Sequence, residues 1–104
     1  MLQINDYLEK NIDSIKSIIT EFEINKEFSS HDFIEKFTAK FEQDYIEMLV
    51  NYQKSGQAFQ TVHSLIAKFL SLKMSILGIE KTHRKVSENV RGNLDIIQWW
   101  NRLS

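Results

Sequence analysis

Residues 73–104 read KMSILGIEKTHRKVSENVRGNLDIIQWWNRLS, and the fold class turns on this stretch. Met74, Ile76 and Ile79 are placed for a short strand, or the helix before them runs on to Gly78. Lys81, Thr82, His83, Arg84 and Lys85 carry no apolar stripe and read as solvent-exposed. Residues 86–92 read as a loop. Asn93 is placed to cap a short last helix with Ile96, Ile97, Trp100 and Leu103 on one side, the alternative being a terminal strand. The helical choice gives a mostly α chain with a basic connector. The other choice adds a small β-hairpin at about residues 73–91.

Upstream, helical periodicity dominates. Ile4, Leu8, Ile12, Ile15, Ile19 and Phe22 recur in steps of three and four and draw one stripe down a helix over about residues 3–24. Asn25, Lys26, Glu27 and Phe28 interrupt it. Ser29, Ser30, His31 and Asp32 then form a helix start, with serine or aspartate able to cap the free N–H groups. Phe33, Phe37, Phe41, Tyr45, Met48, Leu49 and Tyr52 continue as a second stripe, which ends at Ser55-Gly56. A third helix over residues 57–72 turns Phe59, Val62, Leu65, Ile66, Phe69 and Leu70 inward. The expectation is therefore a mostly α, single small domain: three main amphipathic helices and a short C-terminal element. Its expected core takes Ile12, Ile15, Ile19 and Phe22 from the first helix. The second supplies Phe33, Phe37, Phe41, Tyr45 and Leu49, the third Phe59, Val62, Ile66 and Phe69, and the last element Trp100.

Length agrees with one domain. A chain of 104 residues and 12.3 kDa exposes about 6,100 Å² folded against about 17,800 Å² unfolded, enough for a core without staples. There is no cysteine, which excludes disulfides, thiolate metal sites and thiol nucleophiles. With no proline and three glycines, collagen-like and linker classes are excluded as well. The longest apolar runs are three residues, too short to span a bilayer. No basic-then-apolar leader opens the chain, so the expected location is cytoplasmic.

The formal charge of −1 hides a division. Residues 1–50 carry eleven acids against five lysines, a net of −6, whereas residues 51–104 carry eight bases against three acids, a net of +5. Such asymmetry points to a basic functional surface or to pairing between the halves.

Catalytic and metal motifs are largely missing. No G-x-S-x-G, S-x-x-K, glycine-rich phosphate loop or H-E-x-x-H occurs. His31 and Glu35 share a helical face but make only two ligands. His63 and Ser64 are neighbours, and neighbours on a helix diverge by about 100°. The expectation is a protein that is not an enzyme and takes no cofactor, no metal and no evident small-molecule substrate. One echo stands out: His31 to Phe37 and His63 to Phe69 share H-x-x-I-x-K-F. Two copies are too few for a repeat array.

Two functional readings remain. The first is a binding module that associates with a protein partner or with itself through helical surfaces. Its interface candidates are Trp99 and Trp100, adjacent rings that cannot both face one core. The second is a nucleic-acid-binding regulator of helix-turn-helix or winged-helix type using residues 57–91. There Gln60, Thr61, Ser64 and Lys68 lie on the open face of the third helix, and Lys81, Arg84, Lys85 and Arg91 supply cations for phosphates. The amphipathic helices are acidic, which disfavours a membrane surface.

Overall fold

The computed structural model describes residues 3–88, 92 and 94–103. In chain order it contains α1 (Ile4–Lys10), α2 (Ile12–Ile19), β1 (Glu27–Ser29), α3 (Ser30–Lys40), α4 (Glu42–Asn51), α5 (Ala58–Leu72), α6 (Met74–Leu77), β2 (Ile79–Glu88) and β3 (Leu94–Arg102). A 3-10 turn, Gln53–Ser55, links α4 to α5. The strands form one antiparallel sheet in the order β1-β3-β2.

This corrects the mostly α, three-helix expectation. Among the described residues 55 lie in α-helices and 22 in strands, a mixed α and β fold. The last element is the strand that stood as the alternative to a short helix: β3 pairs Phe28 with Trp100 on one side and Val86 with Ile96 on the other. The hairpin spans 79–102, well beyond the 73–91 expected, and residues 86–88 belong to β2 instead of a loop. Residues 89–91 of that expected loop lie outside the described residues. The misreading has a local cause. Ile96, Ile97, Trp100 and Leu103 fit a helical stripe, but Ile96, Gln98 and Trp100 also alternate, and only pairing with β1 decides between them.

The long stripes are also broken. The first becomes α1 and α2, with Asn11 at the junction and its side chain bonded to the Tyr7 carbonyl at 2.9 Å. The second becomes α3 and α4, which part at Phe41. The cap at Ser29 stands as read. Asp32 N–H donates to Ser29 Oγ at 3.0 Å, and Ser29 N–H donates to Asp32 Oδ2 at 2.9 Å, a reciprocal capping box. Gly56 and Gly78 end their helical turns at φ 74° and 69°, in the left-handed region that favours glycine.

The helices cover one face of the sheet. Ile15, Ile18, Ile19, Phe33, Phe37, Met48, Val62, Ile66, Leu70 and Trp100 are all buried. Phe28, Ile34, Leu77 and Ile79 join them from positions outside the stripes. Of the expected core, Ile12, Phe22, Phe41, Tyr45, Leu49 and Phe59 are only partly covered. The Cα radius of gyration is 13.1 Å, which is the compactness of a folded chain of about 100 residues.

Trp100 ties the layers together. Its indole N–H donates to Ser30 Oγ at 2.9 Å, and the Ser30 hydroxyl donates to the Gln98 carbonyl at 3.1 Å. Replacing Phe37 or Ile66 by alanine should therefore lower unfolding free energy by about 2–5 kcal/mol. Ser30→Ala, which strands a buried indole N–H, should cost about 1–3 kcal/mol. Urea unfolding followed by circular dichroism measures all three.

Candidate functional site

α5 is buried along Val62, Ile66, Phe69 and Leu70, so packing fixes which face remains open. That face exposes Gln60, Ser64 and Lys68, with Thr61 half-buried beside them. The four α5 residues singled out from the sequence therefore do share one side of the helix.

The β2–β3 hairpin rises beside this face. Between them lies a cleft of about 450 Å³. α3 contributes Ser30, His31 and Ile34 to it, and α5 contributes Phe59, Gln60, His63, Ser64 and Ala67. The hairpin supplies the remaining wall with Arg84, Ile96, Ile97 and Gln98. No Asp or Glu is among these lining residues.

His31 and His63, the matching positions of the two H-x-x-I-x-K-F segments, meet in this wall. Each is 6 % exposed. His63 Nε2 and Tyr45 Oη share a hydrogen bond of 2.6 Å, and the Phe59 ring lies 3.9 Å from the imidazole. His31 Nδ1 is buried without a hydrogen-bond partner among the described residues. Ile34 with Ile66, and Phe37 with Phe69, are buried at the other echoed positions.

The basic residues separate into two groups. Lys85 pairs with Glu27 and sits 4.5 Å over the Trp99 ring, and His83 Nε2 lies 3.4 Å from Glu27 Oε1. Lys73 pairs with Glu9 at 3.0 Å. Arg102 donates to the carbonyls of Thr20 and Phe22 at 3.2 and 2.6 Å. These contacts join the basic half of the chain to the acidic half. Lys54, Lys68, Lys81 and Arg84 are exposed and have no carboxylate partner among the described residues. Arg84 makes one long bond, 3.4 Å, to the Ile96 carbonyl. Arg91 lies outside the described residues.

The two tryptophans have different roles. Trp100 is 1 % exposed and belongs to the core, so it offers no surface anchor. Trp99 is half-buried, and its indole N–H donates to the Lys85 carbonyl at 3.1 Å. Lys85, expected to face phosphates, is held in this cluster instead.

Two titrating groups are displaced. The Lys85 hydrogen bond holds the Glu27 carboxyl below its ordinary range against a smaller desolvation effect, with the Lys85 and His83 charges adding to the pull. Burial, then the hydrogen bond to Asp44 at 2.7 Å and its charge, push the Tyr7 hydroxyl up. Among the described residues no three His, Asp or Glu side chains gather as a metal site. No helix there is long and apolar enough to cross a membrane.

The cleft was not visible in the sequence because Ile96, Ile97 and Gln98 read as helix. Its one signal was the shared spacing of His31 and His63. No known family's sequence pattern matches the chain, and neither does any curated protein or solved structure to which it was compared.

Glu27 makes the hairpin's attachment pH-sensitive. Its folded pKa lies below the ordinary value of about 4.3, so pairing stabilises the fold above that value and is lost as pH falls through the folded one. Melting temperature should consequently fall more in the native chain than in Glu27→Gln across this acid window. Parallel curves would show that the pair adds nothing.

Proposed function

We propose that the protein binds duplex nucleic acid, with α5 entering the major groove and the β2–β3 hairpin lying against the backbone. The observation that carries this reading is the hairpin, which follows α5 and flanks its open polar face. The sheet order β1-β3-β2, with β1 ahead of helices α3 to α6 and the hairpin after them, is the strand arrangement of a winged helix. A twenty-residue helix before α5 would be a poor first helix of a helix-turn-helix. The break at Phe41 removes that objection by leaving α4 at ten residues.

Residue chemistry supports the same assignment. Gln60 and Ser64 are suited to base edges, while Lys68, Lys81 and Arg84 supply phosphate contacts. The net charge of −1 does not oppose this, because the acids are concentrated in residues 1–50. A charge distribution of this kind orients the chain as it approaches a polyanion.

A second reading, association with a protein partner or a second copy, draws on exposed apolar side chains. Ile46 and Val50 stand one turn apart on α4, and Val86 and Ile96 are a cross-strand pair on the hairpin; all four are more than half exposed. Light scattering across a concentration series tests the self-associating form, which predicts a mass rising toward the dimer. A mass fixed at 12.3 kDa would overturn it.

The nucleic-acid reading makes a sharper prediction. With three phosphate contacts, log affinity for non-specific duplex should fall with log salt at a slope of about −3. Lys68→Ala or Arg84→Ala should each reduce that slope by about one. Fluorescence anisotropy with a labelled duplex measures it. No binding at low salt with micromolar protein would remove the proposal.

A further inference from the structure

The cleft between α5 and the hairpin has walls that a phosphate backbone alone does not explain. Phe59 and Ile96 line it as apolar surface, while Gln60, Ser64 and Arg84 present polar groups at the same space. Ile96 is 64 % exposed, a large apolar side chain on the sheet face of Trp100 but beyond the part that the helices cover. We infer that the cleft binds a small organic anion with an apolar body, and that this ligand and nucleic acid compete for Gln60, Ser64 and Arg84. The first half of this inference stands on the cleft alone; the second rests on the nucleic-acid reading above.

Three observations select the ligand class. The volume of about 450 Å³ falls in the usual range of small-molecule sites, roughly 300–1,000 Å³, and such sites combine apolar walls with a few polar groups. The sign of charge is set by Arg84, and no carboxylate accompanies it among the described lining residues. A guanidinium carries five N–H donors, and the single long bond to the Ile96 carbonyl leaves its planar fork available to a carboxylate. The apolar body would lie against Phe59 and Ile96, removing their surface from water. His31, whose Nδ1 is buried without a hydrogen-bond partner among the described residues, also lines this wall.

Competition follows from shared residues. Gln60 and Ser64 lie on the face of α5 assigned to the groove, and Arg84 is one of three cations assigned to phosphates. An anion seated among them neutralises Arg84 and occupies the space beside α5.

The test uses the full chain, ¹⁵N-labelled, titrated separately with 1-naphthylacetate, neutral 1-naphthaleneethanol and inorganic phosphate. Saturable shifts centred on Gln60, Ser64 and Gln98 are expected with the carboxylate. Affinity should be roughly tenfold lower for the neutral analogue and for Arg84→Gln, the loss of one charge-assisted contact. Ser64→Leu, which fills the cleft from an exposed helix position, should abolish the shifts while the remaining spectrum stays folded. Absence of saturation up to about 10 mM, a range that covers millimolar binders, would overturn the site. Equal affinity for the neutral analogue would overturn its anionic class, and equal affinity for phosphate would overturn the apolar body. In a separate arm the carboxylate should displace labelled duplex. Ligand binding without displacement would overturn competition alone, whereas a duplex that never binds would remove the nucleic-acid reading and leave the site standing.

Discussion

The structure depends on the burial of Trp100 in one register. Its indole is covered by the helices and lies opposite Phe28 of β1. The N–H finds its partner in Ser30, the first residue of α3. Side chains alternate along a strand, so a one-residue slip of β3 would put Trp99 in the core and send Trp100 to solvent. It would also break the chain of bonds from indole to Ser30 to the Gln98 carbonyl. Ile96 and Gln98 stand on the same side of β3 as Trp100, four and two residues away. The contact that sets the core register therefore also aims the hairpin's cleft-facing residues at α5.

Charge has a similar double use. The acidic and basic halves of the chain are joined where Glu27 meets Lys85 and His83 and where Glu9 meets Lys73. Exposed pairs of this kind add little stability. They do, however, determine which cations remain. Lys68, Lys81 and Arg84 stay open on α5 and β2, while Lys85 is held over Trp99 by its pairing with Glu27. Seven of the eight bases in residues 51–104 lie among the described residues, and these contacts divide them. A count of basic residues along the chain could not make that division.

Much of the helical layer was legible because its stripes follow a period of 3.6. The helix start at residues 29–32 was readable for a local reason too, since a cap needs only neighbouring residues, although the reciprocal bonds of Ser29 and Asp32 came with the structure. Asn11 and Phe41 escaped notice because an apolar stripe continues across a kink. β1 is three residues long, too short to show alternation, and β3 carried two periods at once. Its strand character comes from partners about seventy and ten residues away. For the site, exposure of Gln60, Ser64 and Lys68 followed from the apolar positions of α5, whose opposite face they occupy. The cleft needed the hairpin's placement, which no local pattern encodes. Trp99 and Trp100 differ by one position and end in different environments, a distinction set by register alone.

The hairpin itself narrows what can bind beside it. β2 is an edge strand, but it carries Lys81, His83 and Lys85, and its pairing is irregular between Lys81 and Arg84. Charge and irregularity both discourage pairing with another strand. The exposed apolar residues lie elsewhere. Val86 and Ile96 stand opposite each other on one face, with Leu94 two residues farther along it. Ile96 lines the cleft, so this face continues the cleft wall outward beyond the helices. The open apolar surface of the hairpin thus lies on its face and not along its edge. That face and α5 together wall the cleft.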